Sequence, residues 1–265
     1  NPHVRMRLFS QAMERLTATA RQYDAIAVDN VSARNDWKRC GINRAGEWTP
    51  LYSGALLDPI FARDMARCVG WLNHSAHEKG MCIAVNLYFH GDDEGGYRQI
   101  ADQSDIVNDE HGFTRHCQPM DRGQAWIRRA TLYAEVARKK PVEIIDYACP
   151  ALKQIDQRVL NWSIANYLLI KGDRTYLAIV PEGNVGEFVD FPELYIPTGL
   201  PLGQFERTDD IFFRRFERAL SLVNPFSRAA TYDLGKARWK DFDGRPVAGK
   251  IVLPGGTGLV LLSAD

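Results

Sequence analysis

Two stretches of the chain end an apolar run in carboxylates set beside an amide. They are Tyr23-Asp24-Ala25-Ile26-Ala27-Val28-Asp29-Asn30-Val31 and Asp105-Ile106-Val107-Asn108-Asp109-Glu110-His111-Gly112-Phe113. Two such ends side by side would make a paired-carboxylate site, which suits glycoside hydrolysis. One carboxyl, kept protonated, donates to the leaving oxygen, while the other acts as nucleophile or as base for water. The like charge of Asp109 beside Glu110 favours Glu110 as the acid. The same groups, Asp29, Asp109, Glu110 and Asp146 with a histidine, could instead hold a divalent metal. The chain has no H-x-H or H-E-x-x-H spacing, so no metal site is expected. Taken singly, each of these Asp and Asn residues also suits a helix cap or a turn.

The elements that must position these residues alternate. Val4, Leu8, Met13, Leu16 and Ala20 have helical spacing, and a strand follows at Ala25–Val28. Residues 32–52 read as an irregular loop carrying Trp37, Trp48 and Tyr52. Asp58-Pro59 starts a helix that Gly80 ends, and Met81–Leu87 is a strand. A short helix over about 97–103 leads to the second carboxylate stretch. A helix over about 122–139, a strand at Val142–Ile145, a helix at Gln154–Ile170 and a strand at Thr175–Val180 complete the series. Apolar strands alternating with helices imply a parallel sheet covered by helices, which binds ligands at the carboxyl ends of its strands. The residues at those ends are Asp29 and Asn30, Asn86 followed by Tyr88 and His90, Asp109 to His111, and Asp146 with Tyr147. With Trp37 from the first long loop, the expected substrate-binding set is Asn30, Trp37, Asn86, Tyr88, Asp109, His111, Asp146 and Tyr147.

Past about residue 181 prolines punctuate a loop-rich segment, and short strand candidates follow: 211–216, 220–223, 229–234, 249–253 and 258–262. Asp243-Gly244 and Pro254-Gly255-Gly256 are turn signals between them, so this end reads as a small antiparallel β-domain. The expected division is 1–185 for the catalytic α/β part and 186–265 for the β-domain.

Composition narrows the function. The 265 residues carry 33 basic and 33 acidic side chains, a balance that argues against a nucleic-acid binder. No window is apolar enough for a membrane span. Five scattered cysteines without a C-x-x-C pair predict neither a disulfide framework nor a structural zinc, and Cys68 and Cys82 read as small core residues. Gly91–Gly96 lacks the Gly-Lys-Ser/Thr ending of a phosphate loop, and there is no G-x-S-x-G elbow. No cofactor is expected, and the partner is a carbohydrate substrate.

Several of these segments resemble a known group. Tyr-Asp-Ala-Ile-Ala-Val-Asp-Asn-Val is similar to the fourth strand of hypothetical glycoside hydrolases built on a TIM barrel. Ile-Ala-Val-Asn-Leu is similar to their fifth strand, and Asp-Ile-Val-Asn-Asp-Glu-His-Gly-Phe to their sixth. Phe212 to Phe216, Ser221 to Pro225 and Val252 to Gly258 resemble the β-sandwich that follows many such barrels. The groups near the endo-α-1,4-polygalactosaminidases are the most similar. The resemblance implies a (β/α)8 TIM-type barrel of which strands 4–8 are in this chain. It implies Asp29 as nucleophile or base, Glu110 as acid, and a secreted or periplasmic location. Because the matches begin at the fourth strand, it also implies an N-terminal segment or a second chain that completes the barrel. A non-catalytic carbohydrate-binding barrel and a metal-dependent hydrolase are the alternative readings.

Overall fold

The structure is a computed structural model that describes residues 7, 9–11, 13–15, 23–36, 38, 40–182 and 189–264. The chain divides into two compact units, Asn1–Val107 and Asn108–Asp265. Most of the helix expected near the start lies outside the described residues; those described between 7 and 15 are helical.

In the first unit, β1 (Ala25–Val31) is followed by a hairpin of β2 (Gly41–Arg44) and β3 (Glu47–Pro50) inside the stretch expected to be irregular. Its strands are only four residues long and largely exposed, so no buried alternation marks them in the sequence. The turn between them takes left-handed backbone at Ala45 (φ 50°) and Gly46 (φ 90°). Helix α1 (Pro59–His77) starts where Asp58-Pro59 indicated. Asp58 Oδ1 accepts from the amides of Ile60 and Phe61 at 2.9 and 3.2 Å, which satisfies two of the first-turn donors. Strand β4 (Cys82–Leu87) runs parallel to β1, Ala25 opposite Cys82 through Val28 opposite Val85. Ile83, Val85 and Leu87 are fully buried. Cys82, expected in the core, is exposed at the head of the strand, and Cys68 is half-buried. The apolar run of β1 is also less buried than its composition suggested, because among the described strands β1 pairs on one side only. Helix α2 (Glu94–Ala101) follows, and Asp105 ties the start of β5 (Ile106–Asp109) to Ile83 through both its amide and its carboxylate.

The second unit takes up the end of β5. A small hairpin, β6 (Thr114–Arg115) and β7 (Gln118–Pro119), precedes helix α3 (Gly123–Ala137). Strand β8 (Val142–Cys149) is parallel to β9 (Thr175–Pro181), and helix α4 (Gln157–Ile170) connects them. The antiparallel region comprises β10 (Glu206–Thr208), β11 (Ile211–Arg215), β12 (Ala219–Asn224), β13 (Ala230–Asp233), β14 (Trp239–Lys240), β15 (Pro246–Val247), β16 (Lys250–Leu253) and β17 (Thr257–Ser263). Six of these form one sheet in the order β10-β11-β12-β17-β14-β15, and β13 pairs with β16. Ile211, Phe213, Leu220, Leu222, Tyr232 and Leu261 fill its core. The alternation of 211 with 213 and of 220 with 222 is the two-residue strand period.

Helix α4 is apolar over most of its surface because the antiparallel region also packs on it. Ser221 Oγ donates to the Ala165 carbonyl at 2.8 Å. The Arg214 guanidinium donates to the carbonyls of Leu168, Leu169 and Lys171 at 3.2, 3.1 and 2.6 Å, closing the negative end of the helix. A Cβ at Gly258 would meet the Asn161 carbonyl at 2.7 Å, so this close approach of β17 needs glycine. The cysteine reading is corrected here: Cys117 and Cys149 form a disulfide that joins the β6–β7 turn to the end of β8. Their separation of 32 residues hides the pair in the sequence, and the fold brings their Cα atoms to 4.6 Å.

The chain is thus mixed α/β: parallel strands alternating with helices, and a separate antiparallel β region. Among the described residues no helix is long and apolar enough to cross a membrane.

Candidate active site

Asp29 sits at an irregularity in its strand. The pairing of β1 with β4 runs in step to Val28–Val85 and resumes at Val31–Leu87. Asp29 and Asn30 therefore stand opposite the single residue Asn86, the two-against-one count of a β-bulge. Asn30 has left-handed backbone, φ 54°, which asparagine tolerates better than most side chains. The bulge turns the Asp29 side chain out to solvent. Its Oδ1 accepts from the Asn30 amide at 2.8 Å and from Asn86 Nδ2 at 2.8 Å. Its Oδ2 accepts from Asn30 Nδ2 at 3.0 Å. Three N–H donors thus converge on this one carboxylate. The Asn86 amide is held by one end only, because its Oδ1 is buried without a hydrogen-bond partner. Tyr88, just past the end of β4, packs edge-on against the His90 ring at 4.2 Å between centroids. His90 Nε2 lies 3.3 Å from Ser32 Oγ and 3.6 Å from Asp36 Oδ2. Trp37 lies outside the described residues.

In the second unit, β5 ends in three residues with different surroundings. Asp109 is fully buried; it takes a hydrogen bond from the Tyr133 hydroxyl and lies 3.9 Å from the Arg129 guanidinium. Arg129, also buried, donates to Tyr133 at 2.6 Å and to Asp121 at 2.6 Å. A buried charge needs such compensation, and this network provides it. Glu110 is half-buried and accepts from the Tyr147 hydroxyl at 3.2 Å. The His111 amide donates back to Asp109 Oδ1 at 3.0 Å, closing the turn that presents Glu110. The His111 ring packs edge-on against Tyr147 at 5.9 Å, and burial pushes its pKa down, which favours the neutral imidazole.

Asp146 is fully buried beneath this turn. It accepts from the Phe113 amide at 2.6 Å, the Thr114 amide at 3.2 Å and the Thr114 hydroxyl at 2.9 Å. Burial pushes its pKa up to about 6 against these bonds. Gly112 passes over it with φ 36°, and a Cβ there would collide with Asp146 Oδ1. Tyr147 sits at a second irregularity, where Tyr147 pairs with Val180 and Cys149 with Pro181.

Asp29, Asn30 and Asn86 are therefore one hydrogen-bonded cluster, and Glu110, His111 and Tyr147 are another. Arg129, Tyr133 and Asp121 support the second cluster and were not anticipated. A signal for Arg129 existed: it falls on the apolar face of α3, spaced with Trp126, Ala130 and Tyr133, where an unpaired charge would not be tolerated. Among the described residues no group of three or more His, Cys, Asp or Glu could hold a metal ion.

No family model matches the chain, and no curated protein does. Among solved structures it is similar to a GH27 β-L-arabinopyranosidase from Geobacillus stearothermophilus in complex with arabinose. That likeness has 10% identity and a TM-score of 0.41, over 76% of this chain and 55% of that one. It is also similar to a proposed α-galactosidase from Bacteroides fragilis NCTC 9343, with 13% identity and a TM-score of 0.39, over 81% of this chain and 53% of that one. The chain spans little more than half the length of either structure.

Proposed function

We propose that the chain is a glycoside hydrolase that cleaves a poly- or oligosaccharide with two carboxylates, Asp29 as nucleophile or base and Glu110 as general acid. The observation that carries this reading is the bulge at Asp29. A strand end is broken out of register, with a left-handed asparagine, to hold an exposed carboxylate under three N–H donors. Bulges and left-handed backbone recur beside active sites because they re-aim a side chain. Such a carboxylate stabilises a developing positive charge or attacks it. Glu110 stands in different surroundings: it is half-buried and faces the Tyr147 phenol, which can donate to a carboxylate or accept from a carboxylic acid. Asn30, Asn86, Tyr88, His111 and Tyr147 contact the sugar in this reading, with Trp37 on the first loop. Asp109 and Asp146 position the Glu110 turn from beneath. In this reading residues 1–185 form part of a (β/α) barrel and 186–265 a β-sandwich-like domain, as the motif resemblance implies.

The test is release of reducing ends from a panel of polysaccharides by the parent, Asp29→Asn and Glu110→Gln. Each substitution should lower kcat by at least about a thousandfold while circular dichroism stays unchanged, since each removes a group that acts on the reacting bond. Near-parental turnover in either variant refutes its assigned role.

A further inference from the structure

The second unit holds a pocket that the two-carboxylate reading does not use. Its volume is about 290 Å³, and it opens where α3 and α4 end. Arg138 follows α3, Lys171 follows α4, Arg174 precedes β9 and Arg214 comes from β11; all four line the pocket. A Cβ at Gly172 would meet the Ala137 carbonyl at 2.7 Å, so the turn after α4 is held against the end of α3. That close approach brings Lys171 and Arg174 to the same space as Arg138. Among the described lining residues Asp173 is the only acid, so four cations face one carboxylate. Arg138, Arg174 and Asp173 make no ion pair among the described residues. Lys171 Nζ stands 6.0 Å from the Tyr167 ring and likewise lacks an ion pair.

Arg214 shows what the pocket lacks. The residue is only 6% exposed. Its Nε donates to the Gly203 carbonyl at 2.9 Å, and Nη1 takes the three carbonyls at the end of α4. Nη2 has no hydrogen-bond partner among the described residues, yet it is not enclosed by protein. Its open side is therefore the pocket that Arg214 lines. Burial pushes the Arg214 pKa down, and no carboxylate opposes that shift. A guanidinium drawn out of water without a counter-charge is costly, and buried charges are ordinarily paired. The carbonyls satisfy two of its three nitrogens but carry no formal charge. The missing group is an anion, and the remaining cations of the pocket attract one as well.

We propose that this pocket binds a small phosphate monoester, with the phosphate on Arg214 Nη2 and on the side chains of Arg138, Lys171 and Arg174. A phosphate monoester carries close to two negative charges at neutral pH and three strong acceptor oxygens. Cations that arrive from four separate elements are met better by three such oxygens than by a singly charged, planar carboxylate. The volume is that of about ten waters at ~30 Å³ each, at the lower end of small-molecule pockets near ~300 Å³. It leaves room beside the phosphate for a small organic carrier. The site stands whether or not the chain cleaves glycans.

Isothermal titration calorimetry on the full chain at low salt, with glucose 6-phosphate, inorganic phosphate and glucose, measures the site. Glucose 6-phosphate should bind with a Kd of about 1 mM or tighter, the affinity of a few charge-assisted hydrogen bonds. Inorganic phosphate should bind several-fold more weakly, and glucose not at all. Arg138→Glu and Arg174→Glu lie on exposed helix-end and turn positions, so circular dichroism should stay unchanged. Each should weaken binding of the ester at least about tenfold, since an attraction becomes a repulsion. Arg174→Lys keeps the charge and should keep most of the affinity. Arg214 itself is left in place because it also closes α4. No binding of glucose 6-phosphate at ~10 mM, or parental affinity in both charge-reversed variants, overturns the proposal. Inorganic phosphate that binds as tightly as the ester overturns the assignment of an ester.

Discussion

Replacing Gly112 by alanine should damage the turn that carries Glu110 mainly through its contact with Asp146, and a double-mutant cycle with that residue measures it. Asp146→Ala removes the acceptor for two backbone amides and one hydroxyl in a fully buried site. At about 1–3 kcal/mol for each unsatisfied group, less what local relaxation recovers, the loss is about 4 kcal/mol. Gly112→Ala carries about 1 kcal/mol for a non-glycine residue at φ 36°. Its Cβ meets Ile144 Cγ2 at 2.8 Å, for about 1 kcal/mol more, and also Asp146 Oδ1, whose carboxylate it must drive away from the same three donors, so its total is about 5 kcal/mol. In the double variant the carboxylate is already absent and only the backbone and Ile144 terms are added, for about 6 kcal/mol in place of the additive 9. Urea unfolding of the four proteins reads this directly. A coupling near 3 kcal/mol is expected. Singles that add to within about 0.5 kcal/mol would show that Gly112 and Asp146 do not share the contact.

Two further outcomes follow from the same physics. The folded-state pKa of Asp146 lies near 6, above its unfolded value, so the native chain binds this proton more tightly than the unfolded one. This group's share of stability therefore grows as pH falls through 6, by about 1 kcal/mol between pH 7 and 5, and it is lost again as pH rises. Asp146→Asn should flatten that part of the pH profile in chemical denaturation; an unchanged slope contradicts it. The Cys117–Cys149 disulfide closes a loop of 32 residues, so Cys117→Ser with Cys149→Ser should lower unfolding free energy by about 3 kcal/mol, and reductant should do the same to the parent. Equal stability with and without reductant would contradict this.

The parts of the fold that the sequence discloses are those with a local cause. Asp58-Pro59 caps a helix because its carboxylate reaches two amides within three residues. Ile211 with Phe213 and Leu220 with Leu222 share one core face at the two-residue strand period, while Phe212, Ser221 and Val223 are buried on the other face. Glu110 follows the end of β5 as its place after an apolar run indicated, whereas Asp29 lies within β1 and leaves the sheet only through the bulge. What was not legible depends on distant partners. The bulge at Asp29 exists only against Asn86, and the disulfide only where the β6–β7 turn meets the end of β8. Asp109 and Asp146 read as mouth residues by position, yet the fold surrounds both with donors and buries them. The exposure of β1 likewise depends on which strand stands beside it.

The central claim is that Asp29 and Glu110 do different work on one glycosidic bond, and leaving-group dependence tests it most directly. A good leaving group such as p-nitrophenol departs without a proton, whereas a sugar alcohol needs the acid. Kinetics of Glu110→Gln and Asp29→Asn on an aryl glycoside and on the natural glycan of the same sugar give four numbers. Glu110→Gln should keep most of its kcat on the aryl glycoside and lose about a thousandfold on the glycan, while Asp29→Asn should lose both. Equal losses on the two substrates for Glu110→Gln, or aryl turnover retained by Asp29→Asn, would contradict the assignment.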